Sequence, residues 1–98
     1  MLKGFYFVTN ASLSKEGIIS DVKAACCAGV CAVQYRDKET NTSLMIEEGL
    51  KLRRICRKVP FIINDRIDIA QAVGADGVHL GQSDMPVNMA RKILGKDM

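Results

Sequence analysis

The chain has 98 residues, 48% hydrophobic and 26% charged, which is the composition of one globular domain, residues 1–98. A net charge of +3, three phenylalanines, two tyrosines and no tryptophan argue against a nucleic-acid partner, which calls for a dense basic patch with stacking aromatics. No apolar run approaches the roughly 20 residues that span a membrane, and the N-terminus turns polar too early for a signal peptide, so we expect a cytoplasmic protein without a membrane partner.

The chain contains four cysteines and a single histidine, His79. A disulfide framework is not expected in a cytosolic chain with a normal apolar fraction. Zinc ligation would call for a second matching cysteine pair or a nearby histidine, and the sequence offers neither. We therefore expect reduced, buried side chains that behave as small apolar groups at Cys26, Cys27, Cys31 and Cys56.

Extended and helical patterns alternate from the start of the chain. The short, aromatic-rich segment 4–9 predicts a strand. Apolar residues then recur at helical spacing over 14–29, where Ser14 can cap the start of a helix and Gly29 can end it.

The alternation continues to the end of the sequence. Pro60 blocks continuation of the second helix, and Pro86 suits the first turn of the fourth. The remaining predicted elements are strands at 30–36, 61–64 and 76–81, and helices at 42–58, 68–75 and 85–95.

Four β-α units predict an α/β fold. The strands are short and nearly continuous in apolar residues, which is typical of parallel strands covered on both faces. Two architectures fit this pattern: a small doubly wound sheet, or half of a (β/α)8 barrel. No glycine-rich dinucleotide fingerprint follows the first strand, and composition alone does not choose between the two.

Polar side chains fall at the carboxyl ends of three predicted strands. Because the carboxyl ends of parallel strands share one edge, where binding groups are placed in α/β folds, these side chains are candidates for one site. They are Gln34, Arg36, Asp37 and Lys38 after the second strand, Asn64 and Asp65 after the third, and Gln82, Ser83 and Asp84 after the fourth.

Strand alternation sorts these side chains by face. Gln34 and Arg36 should point to one side of the sheet, and Tyr35 to the other, under the helices. Asn64 shares its side with Ile62. Amide and guanidinium groups from neighbouring strands are therefore expected to converge.

Two carboxylates, Asp65 and Asp84, follow adjacent strands beside two cations, Arg36 and Lys38. Mg²⁺ is usually held by one or two carboxylates with substrate phosphate oxygens completing its shell, and the cations would hold the rest of a diphosphate. General acid–base work by the carboxylates is disfavoured, because the cations would keep both ionised. Salt bridges at the rim of a purely structural barrel are the open alternative.

Taken in chain order, the segments VQYRDKE, FIINDR and ADGVHLGQSDMP resemble the thiamine phosphate synthase family, and FYFVTN is similar to its first strand. The resemblance runs through essentially the whole chain. It implies a (β/α)8 barrel of which these residues form the N-terminal half. It also implies a Mg²⁺-dependent transferase that joins a pyrimidine-methyl diphosphate to a thiazole phosphate and releases diphosphate.

The resemblance also assigns residues. It implies that Gln34, Arg36, Lys38 and Asn64 contact the pyrimidine diphosphate, and that Asp65 and Asp84 bind Mg²⁺. No catalytic nucleophile is expected, because Ser83 has no histidine near it in sequence. Two residues stay outside the site: Arg66 is interpreted as a solvated or salt-bridged turn residue, and His79 as a buried structural histidine.

The family barrel has eight β-α units, whereas this sequence contains four. The later units supply the thiazole phosphate contacts, so we expect a donor half-site here, with unpaired edge strands covered by a second copy of the chain or by a complementing C-terminal half. Two other functions are weighed. One is a non-catalytic ligand-binding or assembly half-barrel, and the other is a thiazole tautomerase-like paralogue, against which Lys38 and the Asn64–Asp65 pair argue.

Overall fold

The computed structural model describes residues 6–11, 13–37, 41–80, 88, 89 and 91. Strands and helices alternate through this part of the chain. The elements are β1 (Tyr6–Val8), α1 (Ile18–Cys27), β2 (Ala32–Tyr35), α2 (Thr42–Ile55), β3 (Phe61–Asn64), α3 (Ile67–Val73) and β4 (Gly77–His79). No helix within these residues is long and apolar enough to cross a membrane.

The predicted fourth helix, 85–95, lies mostly outside the described residues. Asn88, Met89 and Arg91 are described, and they have helical conformation.

The four strands form one parallel sheet in chain order, β1-β2-β3-β4. A doubly wound sheet reverses its strand order part-way, which places helices on both faces. Here the order never reverses, and right-handed crossovers therefore leave the connecting helices on one face. The topology thus favours the barrel architecture over the doubly wound sheet.

The strand register separates a helix-covered face from an open one. Side chains on the covered face belong to the buried core or pack against it: Phe7, Val33, Tyr35, Phe61, Ile63 and Val78. Side chains on the opposite face include Tyr6, Val8, Gln34, Ile62, Asn64 and His79. Tyr6 and Val8 on that face are 42% and 40% exposed, as expected of a barrel interior that the described residues do not fill.

Each helix contributes fully buried side chains to the core. Val22 of α1, Leu52 of α2 and Ile69 of α3 are completely inaccessible to solvent. A Cβ atom at Gly49 would lie 3.0 Å from Cγ1 of Val73, so the glycine permits the close approach of α2 to α3.

The ends of α1 confirm one predicted signal and correct the other. Gly29 has a φ of 82°, its N–H donates to the carbonyl of Cys26, and the next N–H donates to that of Ala25, so the helix ends as predicted. The prediction that Ser14 caps the start is wrong. The helix begins at Ile18 after Gly17, and the buried Ser14 hydroxyl has no hydrogen-bond partner among the described residues.

Several predicted elements were longer than the elements in the structure. Helix α2 ends at Ile55 rather than at residue 58, and β2 covers Ala32–Tyr35 rather than 30–36. The start of α2 carries an N-cap that the sequence analysis did not identify: the Asn41 side chain accepts a hydrogen bond from the Leu44 N–H at 2.9 Å.

All four cysteines are free thiols. Cys56 is fully buried, and its Sγ lies 3.9 Å from that of half-buried Cys26. Burial, reinforced by the neighbouring Cys26, raises the pKa of the Cys56 thiol to about 12. The prediction of buried side chains is therefore confirmed for Cys56, whereas Cys27 is exposed and Cys31 is only half-buried.

At the amino ends of the strands, Asp76 links β3, β4 and α2. Its carboxylate accepts a hydrogen bond from the Phe61 N–H at 2.7 Å and two from the Arg53 guanidinium, at 2.9 and 3.2 Å. Its own N–H donates to the Phe61 carbonyl at 2.8 Å. The Asp76 carboxylate therefore stabilises the edge of the sheet opposite the predicted site.

We expect Asp76→Ala to lower the free energy of unfolding by about 1–2 kcal/mol, because it leaves the Phe61 N–H without its acceptor. Arg53→Ala removes only the partly exposed ion pair and should cost less. Urea unfolding of both variants, with Glu47→Ala on an exposed position of α2 as the control, measures the difference. Equal losses of stability from Asp76→Ala and Arg53→Ala would show that the hydrogen bond from the Phe61 N–H adds nothing beyond the ion pair, and would contradict this account of Asp76.

Tyr35 is fully buried under α2, as predicted, and its hydroxyl donates to Oε1 of Glu48 at 2.6 Å. Burial, together with this hydrogen bond to a carboxylate, raises the pKa of Tyr35 far above its ordinary value of 10.0. Above pH 10 the unfolded chain thus releases a proton that the folded chain retains.

Stability should therefore fall as the pH rises through 10, with Tyr35 contributing up to about 1.4 kcal/mol per pH unit. Urea unfolding at pH 9, 10 and 11 measures this slope. Tyr35→Phe should start from a lower stability and show a shallower slope, since other groups titrate equally in both proteins. Equal slopes of stability against pH in the native chain and in Tyr35→Phe would rule out Tyr35 as a source of this pH dependence.

Candidate functional site

Four of the six predicted site residues lie where the carboxyl ends of the parallel strands share one edge. Gln34 lies in β2 and Arg36 just after it, while Asn64 ends β3 and Asp65 follows. Lys38 and Asp84 lie outside the described residues.

Gln34 is the centre of a hydrogen-bonded network on the open face. Its side chain is buried, its Nε2 donates to the Tyr6 hydroxyl at 2.6 Å, and the same nitrogen lies 3.1 Å from Nδ1 of His79. An amide nitrogen can only donate, so Nδ1 of His79 is the acceptor in this contact. Polar side chains of β1, β2 and β4 are thus connected by hydrogen bonds across the sheet.

The interpretation of His79 as a buried histidine is wrong. His79 is the last residue of β4 and its side chain is exposed, although it is hydrogen-bonded as expected. It pairs in register with Asn64 and therefore shares a face with the predicted site residues. Tyr6, on the same face, was not predicted either. The register between strands is needed to identify both residues as neighbours of the predicted site.

Arg36 is exposed, yet its backbone is anchored by a buried residue that the sequence analysis missed. The Thr9 hydroxyl accepts a hydrogen bond from the Arg36 N–H at 3.0 Å and donates to the Arg36 carbonyl at 3.4 Å. The Thr9 N–H in turn donates to the Gln34 carbonyl at 2.9 Å. Thr9 therefore extends the pairing of β1 with β2 beyond the ends of both strands and holds the start of the segment that follows β2.

Asp65 has a φ of 67°, and no other non-glycine residue in the described part of the chain has a positive φ. Its N–H donates to the His79 carbonyl, and the N–H of Arg66 donates back to the Asn64 carbonyl, both at 2.8 Å. Such a backbone costs about 1–3 kcal/mol and persists where its surroundings determine it, commonly at ligand sites. The opening of the β3–α3 connection is thus a strained, hydrogen-bonded turn centred on Asp65.

Arg66 makes the salt bridge that the sequence analysis anticipated, and a further contact that it did not. Its guanidinium binds both carboxylate oxygens of Asp68, at 2.8 and 3.0 Å, and these hydrogen bonds hold the pKa of Asp68 below its usual value. The same group donates to the Thr42 hydroxyl at 2.7 Å. The turn after β3 is therefore connected to the start of α2.

In the part of the chain that the structure describes, no three His, Cys, Asp or Glu side chains lie close enough together to form a metal site. The donor chemistry at the strand edge nevertheless suits Mg²⁺, which needs only one or two carboxylates when phosphate oxygens supply the rest. Asp65 is one such carboxylate, and Asp84, the second predicted ligand, lies outside the described residues.

Comparison with known proteins shows that this chain is similar to one family of enzymes. Residues 5–98 match the family model described as thiamine monophosphate synthase. The thiamine-phosphate synthase of Methanosarcina barkeri is 53% identical over 95% of this chain and 43% of its own length. The thiamine biosynthetic bifunctional enzyme of Saccharomyces cerevisiae is 48% identical over 92% of this chain and 17% of its own length.

A solved structure, the thiamine phosphate pyrophosphorylase from Pyrococcus furiosus, matches with a TM-score of 0.84 and 40% identity. The match covers 90% of this chain and 44% of that one. With the strand order, it confirms the predicted fold class, four β-α units forming the N-terminal half of a (β/α)8 barrel. This chain spans less than half the length of these relatives. Because the family model covers nearly all of its residues, the chain belongs to the thiamine monophosphate synthase family.

Proposed function

We propose that this chain provides the diphosphate-donor half of a thiamine phosphate synthase. The reaction joins a pyrimidine-methyl diphosphate to a thiazole phosphate and releases diphosphate. One observation carries the proposal: Gln34, Arg36, Asn64 and Asp65 lie together at the carboxyl edge of the sheet, with Asp65 held in a strained turn.

The ring and the diphosphate of the donor substrate suit different groups at this strand edge. Its pyrimidine ring is a flat heterocycle with hydrogen-bonding nitrogens, which suits the buried amide of Gln34 with Tyr6 and His79 beside it. Its diphosphate is a compact anion, which suits the exposed guanidinium of Arg36 and, from the sequence, Lys38.

Charge neutralisation is the chemical task of the site. When diphosphate leaves, the bond between the pyrimidine methylene and the diphosphate oxygen breaks and negative charge grows on the leaving group. Arg36 and Lys38 would stabilise that charge. Asp65 and Asp84 would hold Mg²⁺, which when bound supplies further charge stabilisation at the diphosphate oxygens.

No protein nucleophile is needed, because the thiazole nitrogen forms the new bond to the methylene carbon. The products are thiamine phosphate and diphosphate, with every atom accounted for. A strand edge built from amides, cations and carboxylates is suited to such a transfer.

Several parts of this function stay predictions. The thiazole phosphate contacts are expected from the later β-α units of the family fold. A second copy of the chain, or a complementing C-terminal half, is expected to cover the open face with exposed Tyr6 and Val8. A cytoplasmic location is also expected. A thiazole tautomerase-like activity gains no support from the relatives above, none of which is named a tautomerase.

To test the proposal, the purified chain and a complementing C-terminal half, which supplies the later β-α units, are incubated with the pyrimidine-methyl diphosphate, the thiazole phosphate and Mg²⁺, and thiamine phosphate is measured by chromatography. We expect product to form, and Asp65→Asn to reduce its rate roughly 100-fold, because weaker Mg²⁺ binding would leave the charge that develops on the diphosphate less stabilised. Glu47→Gln, an exposed change on α2, should leave the rate unchanged.

Two results would argue against this function. If the chain bound the donor without forming product, the non-catalytic ligand-binding half-barrel would replace the transferase. If Asp65→Asn retained the native rate, the assignment of Asp65 to the donor site would be wrong.

A further inference from the structure

We infer that Thr9 is a positioning residue for diphosphate binding, because its buried hydroxyl fixes the backbone of Arg36 at the carboxyl edge of the sheet. The inference rests on the proposed function, which assigns the exposed guanidinium of Arg36 to the diphosphate. Thr9 is only 2% exposed, so it is not accessible to the substrate and acts through Arg36.

The register of the first two strands brings Thr9 to Arg36. Strand β1 ends at Val8, which pairs with Gln34. Thr9 follows, and its N–H donates to the Gln34 carbonyl at 2.9 Å, as in a regular parallel ladder. The next bond of such a ladder would run from the Arg36 N–H to the Thr9 carbonyl. Here the Thr9 hydroxyl accepts from the Arg36 N–H at 3.0 Å, so a side chain forms the last bond between the strands.

The same hydroxyl contacts both polar groups of the Arg36 backbone. Besides accepting from the N–H, it donates to the Arg36 carbonyl at 3.4 Å. A hydroxyl has one proton and two lone pairs, so both bonds can form at once. Because the Thr9 side chain is fully buried, water does not compete for these bonds. The hydroxyl therefore fixes the point from which the Arg36 side chain leaves the sheet.

A fixed backbone matters for an exposed arginine that binds an anion. The guanidinium binds phosphate oxygens through two parallel N–H bonds, and this geometry requires a defined origin for the side chain. Binding already restricts the rotamers of Arg36 at a cost in entropy. A backbone that is ordered before the ligand arrives adds no further cost, whereas a mobile backbone at Arg36 would have to be ordered on binding.

Pairing of β1 with β2 does not by itself explain a threonine at this position. Backbone groups form the ladder between the registered residues of the two strands, and every residue type has a carbonyl to continue it. Valine has almost the same shape, favours strands and brings no polar atom into a buried site. The hydroxyl is therefore explained by the two bonds that it makes to the Arg36 backbone.

The first test is amide hydrogen exchange of the ligand-free chain, followed by NMR at single amides. Thr9→Val removes the hydroxyl at nearly constant shape, and Thr9→Ser keeps it. We expect the Arg36 amide to exchange about tenfold faster in Thr9→Val, the ratio that corresponds to loss of one ordinary hydrogen bond. It should exchange at the native rate in Thr9→Ser. The core amides of Val22 and Leu52 should stay protected in both variants, which shows that they are folded.

The second test is calorimetric binding of inorganic diphosphate in the presence of Mg²⁺. Thr9→Val should weaken binding about tenfold if the ligand depends on that hydrogen bond, and Thr9→Ser should restore native affinity. In a chain that carries Arg36→Ala, Thr9→Val should cause no further loss, because the group that Thr9 positions is gone. A merely structural role of Thr9 would weaken binding equally with and without the Arg36 side chain.

The two tests separate this inference from the proposed function. Native-like exchange at Arg36 in Thr9→Val would overturn the role of Thr9, as would exchange that rises equally throughout the chain. Faster exchange at Arg36 with unchanged diphosphate binding would overturn the link between the hydroxyl and the ligand. If the native chain binds no diphosphate although exchange at Arg36 depends on the hydroxyl, the contact with the backbone stands, whereas the proposed function and the role of Thr9 in binding both fail.

Discussion

Parallel pairing of the strands in unbroken chain order is the constraint from which the other features of this structure follow. Each hydrogen-bonded pair aligns two carboxyl ends, so Arg36 after β2, Asp65 after β3 and His79 at the end of β4 are brought to one edge although they are distant in sequence. The same order keeps the helices on one face and leaves the other open. A polar strand terminus that would be an ordinary turn in isolation becomes, through this pairing, part of one shared edge of polar side chains.

Buried polar residues then hold this edge in place, while the groups that would meet a ligand are more exposed. Thr9 and Gln34 are the buried polar residues of the described chain, and each bonds across strands: Thr9 to the backbone of Arg36, and Gln34 to Tyr6 and His79. Partner groups satisfy these side chains, which avoids the cost of burying a polar atom alone. The strained backbone of Asp65 is maintained in the same way, by hydrogen bonds to the His79 carbonyl and across its own turn. A buried apolar core on one face thus supports a hydrogen-bonded polar edge at the ends of the strands.

The sequence predicted what depends on local pattern and missed what depends on register. The alternation of strands and helices, the stop of α1 before Gly29 and the burial of Tyr35 under α2 all follow from spacing and residue type, and the structure confirms them. The cap at Ser14 failed because Gly17, with a φ of 94°, starts the helix later than the first polar residue suggested. His79 was placed in the interior because a short apolar strand surrounds it, whereas the pairing of β4 with β3 sets it beside Asn64 on the open face. Thr9 and the Arg66 contact with Thr42 join residues far apart in the chain, so no local pattern reveals them.

The central claim is that this strand edge binds the donor diphosphate through Mg²⁺, and calorimetric titration of the chain with the pyrimidine-methyl diphosphate, with and without Mg²⁺, tests it most directly. The account predicts saturable binding at one site per chain that is lost when Mg²⁺ is omitted and is restored when Mg²⁺ is added back. Binding of equal strength without Mg²⁺ would contradict the assignment of a metal to Asp65 and Asp84. Absence of binding under both conditions would contradict the claim that these residues form the donor half-site.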